Sequence, residues 1–164
     1  MAALEPGTTA PDFTLPGMDG KQLSLREALA GGPVLAVFFK ISCPTCQYAF
    51  PFLQRIYEAQ GKKAVTIVGI SQNTKKDTAA FIKEYGITFP VLLDDTTSYP
   101  VSNAYGLTNV PTIFWIAEDG EIEISTVGWV KKDMEEFNLR AQTPAAAPHP
   151  LFRKSEQIAD FRAG

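Results

Sequence analysis

Six consecutive apolar residues, Val34-Leu35-Ala36-Val37-Phe38-Phe39, leave no polar face to turn toward water. Such a run suits a strand covered on both faces of a sheet. A second run, Ala64-Val65-Thr66-Ile67-Val68-Gly69-Ile70, follows a segment from Pro44 to Gln60 in which Phe50, Leu53, Ile56 and Tyr57 recur at helical spacing, with Gly61 as its expected stop. A further helical pattern over Lys75 to Tyr85 presents Ala79, Phe81, Ile82 and Tyr85. Strand, helix, strand, helix predicts an α/β fold with parallel strands. At 164 residues and 45% hydrophobic side chains, the chain can bury the core of one domain without disulfide staples.

Smaller elements flank this unit. Asp12 to Leu15 and Lys21 to Leu25 alternate on either side of Pro16-Gly17-Met18-Asp19-Gly20, predicting an N-terminal β-hairpin. Ser24 is placed to cap a short helix through Ala30. Pro90 to Leu93 is a short strand, and Tyr99 to Tyr105 a brief helix ending at Gly106. Pro111 to Ala117 and Ile122 to Val127 read as an antiparallel pair, and Asp119-Gly120 between them favours a primed turn. A closing helix is expected over Lys131 to about Arg140. Pro51 falls inside the long helix, where its ring removes a backbone donor and favours a kink.

The only two cysteines stand together in Cys43-Pro44-Thr45-Cys46, where the first apolar run gives way to the long helix. The backbone N–H groups of a first helical turn have no intrahelical partner and carry partial positive charge, so a sulfur there is favoured as thiolate. A second sulfur two residues on can close a disulfide and release whatever the first has attacked. The spacing closes too small a loop to staple the fold, so the pair reads as chemical rather than structural.

Three features resemble one family in the right order: Gly7-Thr8-Thr9-Ala10-Pro11-Asp12-Phe13-Thr14-Leu15, the strand-to-helix Cys43-Pro44-Thr45-Cys46, and Val110-Pro111-Thr112 opening the fourth strand. They resemble the thioredoxin-like redoxins of the AhpC/TSA and TlpA/ResA kind over about residues 7 to 137. The resemblance implies a thioredoxin-like fold, with a central mixed β-sheet flanked by helices and an N-terminal β-hairpin extension. It also implies a thiol-disulfide oxidoreductase needing no cofactor, with Cys43 the attacking thiol and Cys46 the buried resolving one. By the same resemblance Val110-Pro111 is a cis peptide opposite the cysteines, exposing the Val110 backbone to an extended substrate alongside Pro44 and Thr45. The implied partners are disulfide- or dithiol-bearing proteins and a thiol reductant or oxidant.

Departures from the family qualify the expectation. Thioredoxins bury an Asp six residues before the first cysteine, and here that position is Val37. TlpA- and ResA-like proteins place a Glu three residues after the second, and here it is Ala49. Ser42 replaces the aromatic usually found before the motif, and Lys40 either is a solvated strand-end residue or favours the Cys43 thiolate. The alternative is a thiol-dependent peroxidase of the same family. Its P-x-x-x-[ST]-x-x-C pattern fails against both cysteines, and no Arg occurs between Arg55 and Arg140 to polarise a peroxide.

A formal net charge of −3 with scattered basic residues offers no stripe for nucleic acid. Two sulfurs and the single His149 fall short of a closed metal site. No apolar run reaches the length of a membrane span, and the N-terminus lacks a signal-peptide pattern; the expectation is a cytoplasmic protein, or a periplasmic or extracytoplasmic one whose leader has been removed. The redoxin domain is expected over residues 1–140. The Ala- and Pro-rich stretch from Ala141 to Pro150 reads as a linker to an extension reaching residue 164, whose Leu151, Phe152, Ile158 and Phe161 are suited to dock back on the domain or to present an edge to a partner. Oligomeric state carries no sequence signal.

Overall fold

The computed structural model describes residues 2–60, 64–142 and 149–164. The expected helix stop at Gly61 and most of the Ala/Pro-rich stretch lie outside the described residues. Strands β1 (Thr14–Pro16) and β2 (Gln22–Ser24) form the N-terminal hairpin. Helix α1 (Leu25–Leu29) follows, capped reciprocally by the Ser24 hydroxyl and the Glu27 carboxylate. Then come β3 (Val34–Phe39), α2 (Pro44–Ala59), β4 (Thr66–Ser71), α3 (Lys75–Tyr85), β5 (Val91–Leu93) and α4 (Pro100–Ala104). The chain continues through β6 (Thr112–Ile116), β7 (Ile122–Val127), β8 (Trp129–Val130), α5 (Lys131–Ala141) and β9 (Phe161–Arg162).

Five strands make one mixed sheet in the order β5-β4-β3-β6-β7, with β3 parallel to β4 and antiparallel to β6. This is the thioredoxin-like architecture. The fully buried β3 explains its unbroken apolar run, because alternate side chains point to opposite faces. Leu35, Val37 and Phe39 pack with Phe50, Leu53 and Ile56 of α2, Phe81 of α3 and Phe137 of α5. Ala36 and Phe38 face the other layer, with Leu25, Ala28, Val101 and Tyr105. Phe39 lies 4.4 Å from Phe50 and 5.2 Å from Phe81, ring centre to ring centre. Such aromatic pairs add about 0.5–1.5 kcal/mol beyond their buried area, and this trio holds α2 firmly against the end of β3.

Two local expectations are corrected. The β6–β7 turn is not primed: Gly120 alone has positive φ (90°), and its N–H bonds to the Ala117 carbonyl at 2.8 Å. An ordinary turn followed by a left-handed glycine is an alternative hairpin solution, and Asp119 serves it by accepting from the Glu121 N–H rather than by adopting positive φ itself. On α3, Ala79 is exposed and Thr78 is buried in its place. Its hydroxyl is 2.7 Å from that of Ser71, so a polar side chain is accommodated inside.

Pro51 lies within α2, which runs on to Ala59. Beyond α5, His149 is tied through its backbone to Asn138 and Gln142. Leu151 is buried, Phe152 and Ile158 are half-buried against the core, and Phe161 projects into solvent. Among the described residues no helix is long and apolar enough to cross a membrane.

Arg55 of α2 grips Glu156 with two hydrogen bonds of 2.8 and 2.7 Å. That guanidinium, helped by the Arg153 N–H, holds the Glu156 carboxyl down to about 2. A carboxyl depressed on folding stabilises the fold above its unfolded value of about 4.3, and the contribution is lost as pH falls toward the folded one. Acidification from about pH 5 to about pH 2 is therefore expected to loosen residues 153–160, read as faster amide exchange there before the core strands exchange. Unchanged protection across that range would show that the ion pair does not hold the extension.

Candidate functional site

Cys43 is the N-cap of α2, with extended backbone (φ −81°, ψ 116°), and Pro44 occupies the first turn, where a missing N–H costs nothing. The Cys43 sulfur accepts the Cys46 N–H at 3.1 Å, the capping bond a serine oxygen would otherwise make. It also donates to the Val110 carbonyl at 3.3 Å. The loop ahead of it is held by Ile41, whose N–H donates to Asn73 and whose carbonyl accepts from Gln47.

The two thiols differ sharply in environment. Cys43 is half-exposed, whereas Cys46 is fully buried. Burial first, and then the hydrogen bond with Cys43, push the Cys46 thiol far above the ordinary thiol range. Val37 and Ala49 share its apolar surroundings, so a carboxylate stands at neither position from which relatives take the proton.

The Val110–Pro111 peptide is cis, and Pro111 is buried at the start of β6. A cavity of about 440 Å³ opens beside the cysteines, lined among others by Lys40, Cys43, Pro44, Gln72, Tyr99 and Val110. The structure thus brings Lys40, Cys43, Pro44 and Val110 to one cavity. Thr45 is separated from it: buried, its hydroxyl donates to the Ala163 carbonyl at 2.6 Å. Sequence reasoning missed Ala163, Gly164 and Asn109 at this site. The Asn109 side chain donates to the Gly164 carbonyl at 3.3 Å. No local pattern signals contacts between residues 55 and 118 positions apart.

A dithiol at the head of the first long helix of this five-stranded sheet, faced by a cis-proline, defines a thioredoxin-like dithiol oxidoreductase. The chain belongs to the AhpC/TSA family, whose model matches residues 6–125. It is 32% identical over 133 residues to the thiol-disulfide oxidoreductase ResA of Halalkalibacterium halodurans, covering 80% of this chain and 74% of that one. It resembles a solved thiol:disulfide interchange protein from Bacteroides sp. at 25% identity and a TM-score of 0.73, over 85% of this chain and 90% of the other. The thioredoxin domain of a thiol-disulfide oxidoreductase from Bacteroides vulgatus shares the fold with a TM-score of 0.76 at 24% identity, over 86% of this chain and all of that one (100%).

Proposed function

We propose that the protein exchanges disulfides with thiol-bearing protein substrates through Cys43 and Cys46. The observation that carries this is the asymmetry of the pair: one sulfur capping a helix at the edge of a cavity, the other buried one turn behind it. Acting as a reductase, the Cys43 thiolate attacks a substrate sulfur. The substrate S–S bond breaks, a mixed disulfide forms, and one substrate thiolate leaves. Cys46 then gives up its proton and attacks the Cys43 sulfur. The mixed disulfide breaks, the second substrate thiolate leaves, and two electrons have passed to the substrate while the protein retains the disulfide. Run backwards, the same steps oxidise a substrate dithiol.

Pro44 and Val110 line the cavity with the reacting sulfur, and with the turn fixed by Pro111 they supply the surface along which a substrate backbone lies. Thr45 offers its hydroxyl to a substrate carbonyl in place of the Ala163 carbonyl that it holds in the free protein. Lys40 brings a positive charge to the same cavity.

Alkylation of the reduced protein with iodoacetamide, followed by mass spectrometry, tests the division of labour. Cys43 is expected to be modified at least about tenfold faster than Cys46, since only the exposed thiolate reacts freely. The singly modified protein should no longer reduce an insulin-type disulfide. Modification of Cys46 first, or reduction that survives alkylation, would reverse the assignment.

A further inference from the structure

The end of the described chain lies where the proposed function puts the substrate. After the Glu156 contact, the Trp129 indole donates to the Ala159 carbonyl at 2.6 Å and the Tyr48 hydroxyl receives the Ala159 N–H at 3.2 Å. The Lys131 N–H bonds to the Asp160 carbonyl at 2.9 Å, and β9 pairs with β8 in register, Trp129 opposite Arg162. The Arg162 guanidinium lies over the Tyr48 ring, 4.5 Å from its centre. From this anchored stretch the backbone crosses the head of α2, where Thr45 takes the Ala163 carbonyl, and reaches the cis-proline turn, where Asn109 takes that of Gly164.

Gly164 makes the approach possible. A Cβ built on it would stand 2.4 Å from the Val110 carbonyl oxygen and 2.9 Å from its carbon, so only a residue without a side chain lies this close to the Val110 backbone. Ala163 and Gly164 are exposed, and two hydrogen bonds tie their carbonyls across the groove. The anchor from Ala159 to Arg162 adds an indole bond, a strand pair and a cation–π contact. Residues 163–164, exposed and held by two hydrogen bonds, are therefore the part of the strap that opens at least cost.

We propose that residues 163–164 are an intramolecular occupant of the substrate-strand groove, making the site selective by size and shape. The inference rests on the oxidoreductase reading above. With the strap in place, small disulfides reach the Cys43 sulfur through the cavity on the Lys40 and Tyr99 side, which stays open. An extended polypeptide disulfide needs the groove itself and displaces the strap first, its carbonyl replacing that of Ala163 on Thr45. Because only the open strap admits an extended polypeptide, the apparent reactivity toward polypeptides is reduced to the open fraction of the population.

Full-length Gly164→Val tests this, since the added side chain meets backbone atoms of Val110 and drives the strap off the groove. Reduction of a peptide-borne disulfide is expected to rise about tenfold, the equivalent of two modest hydrogen bonds, and that of 5,5′-dithiobis(2-nitrobenzoate) to change less than about twofold. In a second measurement, Cys46→Ser protein is trapped on Cys43 either with a peptide whose cysteine is held as its 2-nitro-5-thiobenzoate disulfide or with 5,5′-dithiobis(2-nitrobenzoate) itself, Cys43 displacing one 2-nitro-5-thiobenzoate anion in each case. The Gly164 amide resonance should move to its unstructured position with the peptide and hold its place with the small thiol. Equal effects of Gly164→Val on both substrates, or a Gly164 resonance unmoved by the peptide, overturn the strap alone. Failure of the unsubstituted protein to reduce even the small disulfide overturns the oxidoreductase reading, and this inference with it.

Discussion

Cys43→Ser is expected to lower disulfide reduction by about 10³-fold or more, because a serine hydroxyl at the same helix cap is not ionised at neutral pH and no second exposed thiol exists to replace it. The substitution should leave the fold intact: Cys43 is half-exposed, and a serine oxygen makes the same capping bond to the Cys46 N–H. Cys46→Ser is expected to behave differently. The first exchange still occurs, one substrate thiol is released, and the protein accumulates as a mixed disulfide through Cys43, visible as a mass increase that a reductant removes. Its buried hydroxyl costs about 1–3 kcal/mol unless it finds a partner, so a modest fall in stability should accompany the trap. Residual turnover in Cys43→Ser comparable to the parent, or a trap formed on Cys46 instead, would reverse the two roles.

Ala49→Glu is expected to speed closure of the Cys43–Cys46 disulfide by about 10²-fold at neutral pH, the usual contribution of a positioned general base. Ala49 is fully buried, lies one helical turn beyond Cys46 and packs in the same apolar cluster, so a carboxylate there comes within reach of the resolving thiol. In the natural protein, burial and the Cys43 hydrogen bond raise the Cys46 thiol, and its proton has no side-chain carboxylate to go to at Val37 or Ala49. It is expected to leave to water or to the departing thiolate. Single-turnover closure in the natural protein should therefore be slower than in thioredoxin, rising about tenfold per pH unit between about pH 6 and pH 9, as expected when the thiolate fraction limits the rate. Ala49→Glu should flatten that profile near and above neutrality, and Ala49→Gln, which matches the size without the base, should not. Overpacking is expected to cost the variants about 1–3 kcal/mol, since Ala49 is fully buried. A steep, unaltered pH profile in a folded Ala49→Glu protein would show that the proton does not limit closure.

Local chemistry made much of the fold readable. The run from Val34 to Phe39 declares a strand with two covered faces, and both faces are covered, by α2, α3 and α5 on one side and by α1, α4 and the N-terminal hairpin on the other. Ser24 and Pro44 mark helix starts by side-chain or ring chemistry acting within one turn, and helices begin at each. Where several local solutions compete, local reading falls short. An Asp-Gly pair is compatible with more than one hairpin turn, and here the unprimed one occurs beside an irregular pairing near Trp115 and Ile116. Thr78 and Ala79 are both acceptable on a helix, and the partner hydroxyl of Ser71 on β4 decides which is inside.

The placing of two sulfurs at a strand-to-helix junction was determined by sequence alone, since an apolar run, a proline and a helical period are all local signals that meet at Cys43-Pro44-Thr45-Cys46. Tertiary structure alone decided what surrounds them. It set Val110 against Cys43, enclosed Cys46 in an apolar layer, and laid Ala163 and Gly164 across Thr45 and Val110. The Cys43 and Thr45 contacts join side chains to backbone carbonyls far away in the chain. A carbonyl is the same group in every residue, so no residue type announces which hydroxyl or thiol it will meet until the fold has brought the two together.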